Sequence, residues 1–516
     1  MKLWYSAQNA GTDRCDLRMW PVLATVILVL GIWLRWIHKN RRMLNMAKQL
    51  PGPPALPIIG NATLFMVEPL EFIRVIRDLM IKYGGVFRVW LGPDLNVVVS
   101  NPDDVKILLT NNKTTVKGPQ YKYMAHFLGG GILSGSGTPW RKHRKIAAPN
   151  YGKRAIKSYV NIFNSEVDLL IKKFKETPKG QQIDINKYIV QTTTYTVCQT
   201  LIGLSRKEML EVPHLQTLID ETPDLYELIF DRMRKWYLQL DPVFWLTKLY
   251  KRHKKFMKII REFSMTIVKH RMEKLNSIDG KERELLNSGE DSINSTQLSV
   301  IDRFILSQEL DPNELLSETF TVFTTSQEAL AKISSITLLM MAFHPKCQEK
   351  LYAEIVSVIG KKDRPVTYED IKQMPYLDMV FKEVIRLFPI AGMMQRTITE
   401  DITISTCTVP AGASLLIPTY HLHRNPKYWP NPDVFDPERF SPENLKLRNP
   451  YCYVPFSLGS MDCLGRHYAE KLVKTMVIRI MQNFKLSTLK NYEDLRVIIV
   501  ISTTLMDGFH AILTPR

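Results

Sequence analysis

From Pro455 to Gly465 the chain reads Pro-Phe-Ser-Leu-Gly-Ser-Met-Asp-Cys-Leu-Gly, and an apolar, helix-patterned run over residues 468–481 follows at once. An aromatic, two glycines and one cysteine at fixed offsets dictate a tight turn that offers a sulfur at the head of a helix. Glycine lets backbone N–H groups come close to that sulfur, which favours the ionised thiolate, the form that binds metal. A lone cysteine in a helical protein is ordinarily an inert buried residue. The joint spacing of Phe456, Gly459, Cys463 and Gly465 points instead to a ligand. Zinc fits poorly, because Cys452, Cys463 and His467 lack paired C-x-x-C spacing. Six cysteines, irregularly placed in 516 residues, make no disulfide framework and suit a reducing compartment.

At the other end, residues 19–34 carry no charge, and Trp36 and Ile37 extend the apolar character past Arg35. The run is just long enough to span a thin bilayer. Trp20, Trp33 and Trp36 sit at its ends, where an indole stays half apolar and half hydrated. Arg35, Lys39, Arg41, Arg42 and Lys48 follow with no acid among them, so the positive-inside rule leaves the rest of the chain in the cytosol. A buried core helix or a cleaved signal peptide are the competing readings. The polar lead and the missing small-x-small site count against the second. The predicted organisation is a short lead over residues 1–18, a transmembrane anchor over 19–37, a basic, proline-rich linker over 38–60 and a folded body over 61–516. In that orientation the sequons at Asn61, Asn112 and Asn294 stay unglycosylated.

The body is globular by composition, with 45% apolar and 23% charged residues. Its net charge of +18 is compatible with nucleic acid, an anionic membrane or an acidic partner, and does not choose among them. Short strands are predicted at residues 87–91 and 96–100 around Gly92-Pro93-Asp94, within 401–418 around Val409-Pro410-Ala411-Gly412, and within 497–513 around Asp507-Gly508. Apolar residues at three and four spacing predict helix over most of 144–263 and 312–388. Residues 276–297 read as a polar loop, and the Gly129 to Gly137 stretch as a flexible turn. The fold class is mainly α with small β-sheets.

The cysteine loop resembles that of the cytochrome P450 family, the haem-thiolate monooxygenases, and in particular the membrane-bound animal forms similar to fatty-acid ω-hydroxylases and their insect relatives. Other motifs stand in the expected order over residues 51–516. Trp140-x-x-x-Arg144 places an indole N–H and a guanidinium one turn apart, suited to a haem propionate. Arg396 matches the family's second propionate arginine. Glu383-x-x-Arg386 is weak as a bare pattern, but 80 residues before Cys463 it matches the family's buried network, completed by Arg439. The resemblance implies the cytochrome P450 fold after one N-terminal transmembrane helix, and haem b on the Cys463 thiolate. Phe456, Gly459 and Gly465 shape the loop around it. It also implies a lipophilic small-molecule substrate, and NADPH-cytochrome P450 reductase with cytochrome b5 as partners. Location is then the endoplasmic reticulum membrane, the catalytic domain facing the cytosol. Reductase docking is expected on the basic patch Arg141-Lys142-His143-Arg144-Lys145 with Lys153 and Arg154. The aromatic and basic stretch 226–263 suits a substrate channel near the membrane. No nucleic-acid motif accompanies the charge.

Two departures stand out. The family's loop arginine, two residues before the ligand, is Met461, at a cost of one charge-assisted hydrogen bond, about 1.5 to 3 kcal/mol. The oxygen-activating threonine of the central helix is Ala329, although the neighbouring acid survives as Glu328. Glu328 is the leading proton-relay residue. With Lys332 at i+4 it reads equally well as a helical ion pair. Thr325 stands where some relatives carry a glutamate that esterifies the haem, so no such link is expected. The activity implied is monooxygenation. A hydroperoxide isomerase or dehydratase that needs no oxygen activation, and a non-catalytic haem or lipid binder, are the alternatives that Ala329 and Met461 motivate.

Overall fold

Asp311 opens the long central helix Pro312–Phe343. Its carboxylate accepts from the N–H groups of Asn313 and Glu314 at 2.7 and 2.9 Å, and Glu314 returns a bond to the Asp311 N–H. This reciprocal cap, with proline in the first turn, starts the helix where the sequence predicts. A helix apolar on every side must be buried on every side, and in this computed structural model Pro312–Phe343 runs through the core. It packs against helices Asn186–Val197, Lys248–Asn276 and Arg466–Asn483. Its hydroxyls are absorbed internally: Thr319, Thr325 and Thr337 each donate to the carbonyl four residues back. The structure describes residues 12–278, 298–360 and 364–516, so most of the predicted 276–297 loop lies outside the described residues.

Twelve strands are described: β1 Val86–Leu91, β2 Asp94–Val99, β3 Val116–Lys117, β4 Gln182–Asp184, β5 Met394–Thr397, β6 Ile402–Thr403, β7 Thr408–Val409, β8 Ser414–Ile417, β9 Phe484–Ser487, β10 Val497–Ile499, β11 Thr503–Leu505 and β12 His510–Pro515. The largest sheet has order β1-β2-β8-β5-β3, with β2 and β8 parallel and the other pairs antiparallel. Sheets β4-β12-β9, β10-β11 and β6-β7 complete the set. The β1–β2 hairpin turns at Gly92-Pro93, with Leu91 opposite Asp94, as expected.

The turn expected at Val409-Pro410-Ala411-Gly412 is present and carries the chain from β7 to β8, in another sheet; a further turn, at residues 404–407, joins β6 to β7, where Ile404 N–H bonds Cys407 O. Two expectations need correction. The stretch 497–513 folds back a second time, at Val500-Ile501-Ser502, where the chain lines a cavity. The glycine stretch is held tightly. Gly129 has φ +62, and a Cβ on Gly131 would overlap Glu318 Oε1, which binds both the Ile132 N–H and His143 Nδ1.

Thr12–Lys39 forms one helix; residues 1–11 of the expected lead lie outside the described residues. Trp20, Leu23, Ile27, Leu28 and Leu34 are exposed along the helix. Among the described residues no helix is long and apolar enough to cross a membrane, so the transmembrane segment expected over residues 19–37 is not established. The predicted linker docks on the body. Helix Arg41–Ala47 and Leu50 pack into the apolar cluster of Trp90, Leu95 and Val97, and Pro51 O accepts from Arg88 N–H at 2.8 Å.

Candidate active site

The cysteine loop is folded by two backbone conformations that side chains resist. Ser457 and Gly459 have φ of +62 and +72, and a Cβ on Gly459 would overlap the Leu109 carbonyl oxygen. Glycine at 459 is therefore obligatory. Gly465 is not strained, and a Cβ there would meet nothing closer than 3.9 Å, one of those atoms being Cys463 Sγ. Phe456 O accepts the Cys463 N–H at 2.9 Å and closes the turn. Helix Arg466–Asn483 begins just beyond, so Cys463 stands at its N-terminal end. Burial pushes the thiol up, and the Asp462 charge adds to this. The Gly465 N–H, Arg144 and Arg466 act the other way. By accessible surface Cys463 is exposed, and it opens onto a cavity.

That cavity has a volume of about 690 Å³, in the range of small-molecule and cofactor sites. Its lining includes Phe456, Met461, Cys463 and Gly465 of the cysteine loop and Thr325, Ser326, Glu328 and Ala329 of the central helix. Among the described residues Cys463 is its only cysteine. Phe230, Ile333, Ile390, Val500 and Ile501 give it apolar lining.

Trp140, Arg144 and Arg396 all reach the cavity. Trp140 is buried and Arg144 lies over its ring with 5.7 Å to the centroid. Arg144 donates to the Asp462 carbonyl at 2.6 Å and to its carboxylate. Arg396, 3% exposed, gives one N–H to the Gln395 carbonyl. A third cation, Lys117, was not legible from the sequence, where it is merely a basic residue before Gly118-Pro119. The β3–β5 register sets it directly opposite Arg396. Burial drives its ammonium far below the ordinary lysine range, and the charges of Arg396 and Arg144 lower it further. Two guanidiniums and a partly buried amine whose charge needs a neighbouring anion suit an anionic occupant. Two carboxylates beside a metal-bound thiolate answer that demand, so the residues present fit haem b, and Lys117 offers a cation that Met461 does not.

Glu383 and Arg386 are both fully buried, joined by bonds of 2.7 and 2.8 Å, with Arg439 Nε 3.5 Å from Glu383 Oε1. The three residues predicted to form a network do come together. Arg386 also donates to the carbonyls of His423, Pro432 and Val434. His423 carries the network to the cysteine loop: its Nε2 accepts the Val454 N–H at 2.9 Å and its Nδ1 faces Arg386 O at 3.3 Å. An accepting Nε2 fixes the neutral tautomer with the proton on Nδ1. Burial, reinforced by the Arg386 charge, pushes this imidazole down to about 3. Nothing in the local sequence marks His423.

Glu328 is 6% exposed and lines the cavity. It is ion-paired with Lys332 one turn on, as one of its two readings expects, and accepts the Ser502 hydroxyl at 2.8 Å. Thr325 turns its hydroxyl to the Thr321 carbonyl at 2.7 Å.

The Cytochrome P450 family profile matches residues 50–498. The chain is 28% identical to Cytochrome P450 4c3 of Drosophila melanogaster, covering 96% of this chain and 95% of that one. It is 29% identical to Cytochrome P450 4V2 of Homo sapiens, over 92% of this chain and 91% of that one. Cytochrome P450 4g1 of Drosophila melanogaster is 27% identical, over 96% and 94%.

Proposed function

The chain belongs to the cytochrome P450 family, type 4 among its relatives, and so is a haem-thiolate monooxygenase carrying haem b on a cysteine; from that premise we propose that Cys463 is the axial ligand and that the substrate is a lipophilic small molecule of the fatty-acid, hormone, pheromone or xenobiotic class. The observation that carries this reading is one thiol opening into an apolar cavity of about 690 Å³ lined also by Arg144, Arg396 and Lys117. When bound, the haem supplies oxygen activation, with the thiolate's electron density favouring O–O cleavage.

The chain's own residues do the rest. Trp140, Arg144, Arg396 and Lys117 hold the propionates, Arg144 in exchange for or in addition to Asp462. Phe456, Gly459 and Gly465 hold the sulfur at the cavity wall. Glu383, Arg386 and Arg439 brace the segment leading into the loop. Phe230, Ile333, Val500 and Ile501 exclude water from the reacting carbon. Glu328 holds a carboxylate at the cavity edge for proton delivery. Electrons come from NADPH-cytochrome P450 reductase, with cytochrome b5 as a second donor. Exposed Arg141, Lys145 and Lys153 on the face that leads into Arg144 support an acidic docking partner. The domain spans 61–516 behind an anchor over 19–37 and a linker over 38–60. Exposed Trp20, Ile27, Leu28 and Leu34 support attachment to the endoplasmic reticulum membrane, the domain facing the cytosol.

The test is a carbon monoxide difference spectrum of the reduced protein, followed by turnover. A thiolate-type band, with product formed from reductase and NADPH, is expected. A histidine-type band, or product from hydroperoxide alone, refutes the reading.

A further inference from the structure

Ala329 deprives the central helix of the hydroxyl that would stand beside its acid, and the described structure places another hydroxyl there. Ser502 lies in the turn between β10 and β11, 3% exposed, at the wall of the Cys463 cavity. The turn is pinned from behind: Thr503 N–H bonds Ile390 O at 3.0 Å and Thr503 Oγ1 bonds Pro389 O at 2.6 Å. Ser502 Oγ stands 2.6 Å from Lys332 Nζ and 2.8 Å from Glu328 Oε1.

The direction of this chain is fixed by chemistry. An ammonium has only protons to give, so Ser502 Oγ accepts from Lys332 and turns its own O–H to Glu328. Lys332 also pairs with the same Oε1, and among the described residues no bond falls on Glu328 Oε2. The other hydroxyls near the acid make no bond to it among the described residues. Thr325 bonds Thr321 O, and Thr324 bonds Tyr226 OH at 3.2 Å. Ser326 lines the same cavity, but two residues from Glu328 it sits on another face of the helix, and no bond between the two is found among the described residues.

We propose that Ser502 is the hydroxyl partner of Glu328 that position 329 no longer supplies: a positioning residue that, with Lys332, holds Oε1 so that Oε2 serves the cavity in proton delivery. The pair of acid and alcohol is thereby rebuilt from two segments 174 residues apart. The proposal rests on the monooxygenase reading, because proton delivery matters only to oxygen activation.

Two measurements test it on full-length protein. The first needs no turnover: the carboxylate stretching band of Glu328, identified by its loss in Glu328→Gln, is followed in the infrared. It should shift in Ser502→Ala and return in Ser502→Thr; a band unmoved by Ser502→Ala overturns the proposal. The second uses holoenzyme whose carbon monoxide spectrum matches wild type. With reductase and NADPH, Ser502→Ala should raise peroxide released per NADPH roughly tenfold, the effect of one hydrogen bond to a charged group at a branch point, and should enlarge the solvent deuterium isotope effect. Ser502→Thr should reverse both. Peroxide unchanged in Ser502→Ala, or raised by Ser326→Ala in its place, overturns it. If wild type consumes no NADPH, the monooxygenase reading has failed, and the infrared arm still decides whether Ser502 orders Glu328.

Discussion

A buried imidazole that must stay neutral makes this fold sensitive to acid at one identifiable point. His423 cannot take a proton without breaking the Val454 N–H bond to Nε2 and placing a second positive charge beside Arg386. In the native state it resists protonation down to about 3, against 6.5 for a free histidine. The unfolded chain therefore takes up a proton that the folded chain refuses. Stability contributed by the neutral ring is complete above about pH 6.5 and falls as the pH drops toward 3. Integrated between about pH 8 and pH 5, the loss is about 2 kcal/mol. His423→Gln keeps an acceptor for Val454 and removes the titration. Urea unfolding of both proteins at several pH values is the assay. The wild type should lose about 2 kcal/mol more than the variant over that interval, and the difference between the two isolates His423 from His421 and His253, which are also held low. Parallel stability profiles would refute the neutral-ring argument and the tautomer assigned here.

Further outcomes follow from the same geometry. Gly459→Ala forces a side chain into φ +72 against Leu109 O, at a cost of at least about 2 kcal/mol. Its haem content, measured by pyridine haemochrome, should drop sharply, and full occupancy would show that the loop tolerates a Cβ. Lys117→Met should speed haem transfer to excess apomyoglobin about tenfold, one charge-assisted bond being lost. An unchanged rate would remove Lys117 from the propionate set. Lys332→Met leaves Glu328 buried without its cation and should destabilise the protein by about 3 kcal/mol, with recovery when Glu328→Gln is added. Failure of that recovery would show that the loss comes from packing. Ile27→Lys with Leu28→Lys should release the protein from microsomal pellets, and retention there would place the membrane contact elsewhere.

Local rules carried the sequence reading a long way. Cap, proline and apolar pattern located Pro312–Phe343 to the residue at its start, and fixed offsets marked Cys463, because each depends on neighbours along the chain. Trp140 and Arg144 are legible for the same reason, one helical turn apart. Lys117 escaped because its meaning lies in a register with Arg396, 279 residues away in a sheet that sequence periodicity does not specify. Ser502 and His423 escaped likewise. A single polar residue among apolar ones has no signature until the chain folds a lysine, a carboxylate or a backbone N–H against it. Asp462 was in plain view beside Cys463, and its capture of Arg144 shows that a cation assigned to a cofactor already has an internal partner.

The β10–β11 hairpin follows the cysteine loop in chain order, so a ribosome completes the Cys463 turn and Arg466–Asn483 before it makes this part of the cavity lining. Until those residues exist, the Cys463 cavity lacks Ile499, Val500, Ile501 and Ser502 from its lining. A frameshift just after Asn483 would leave every predicted haem contact encoded and yet yield a protein unable to enclose a guest.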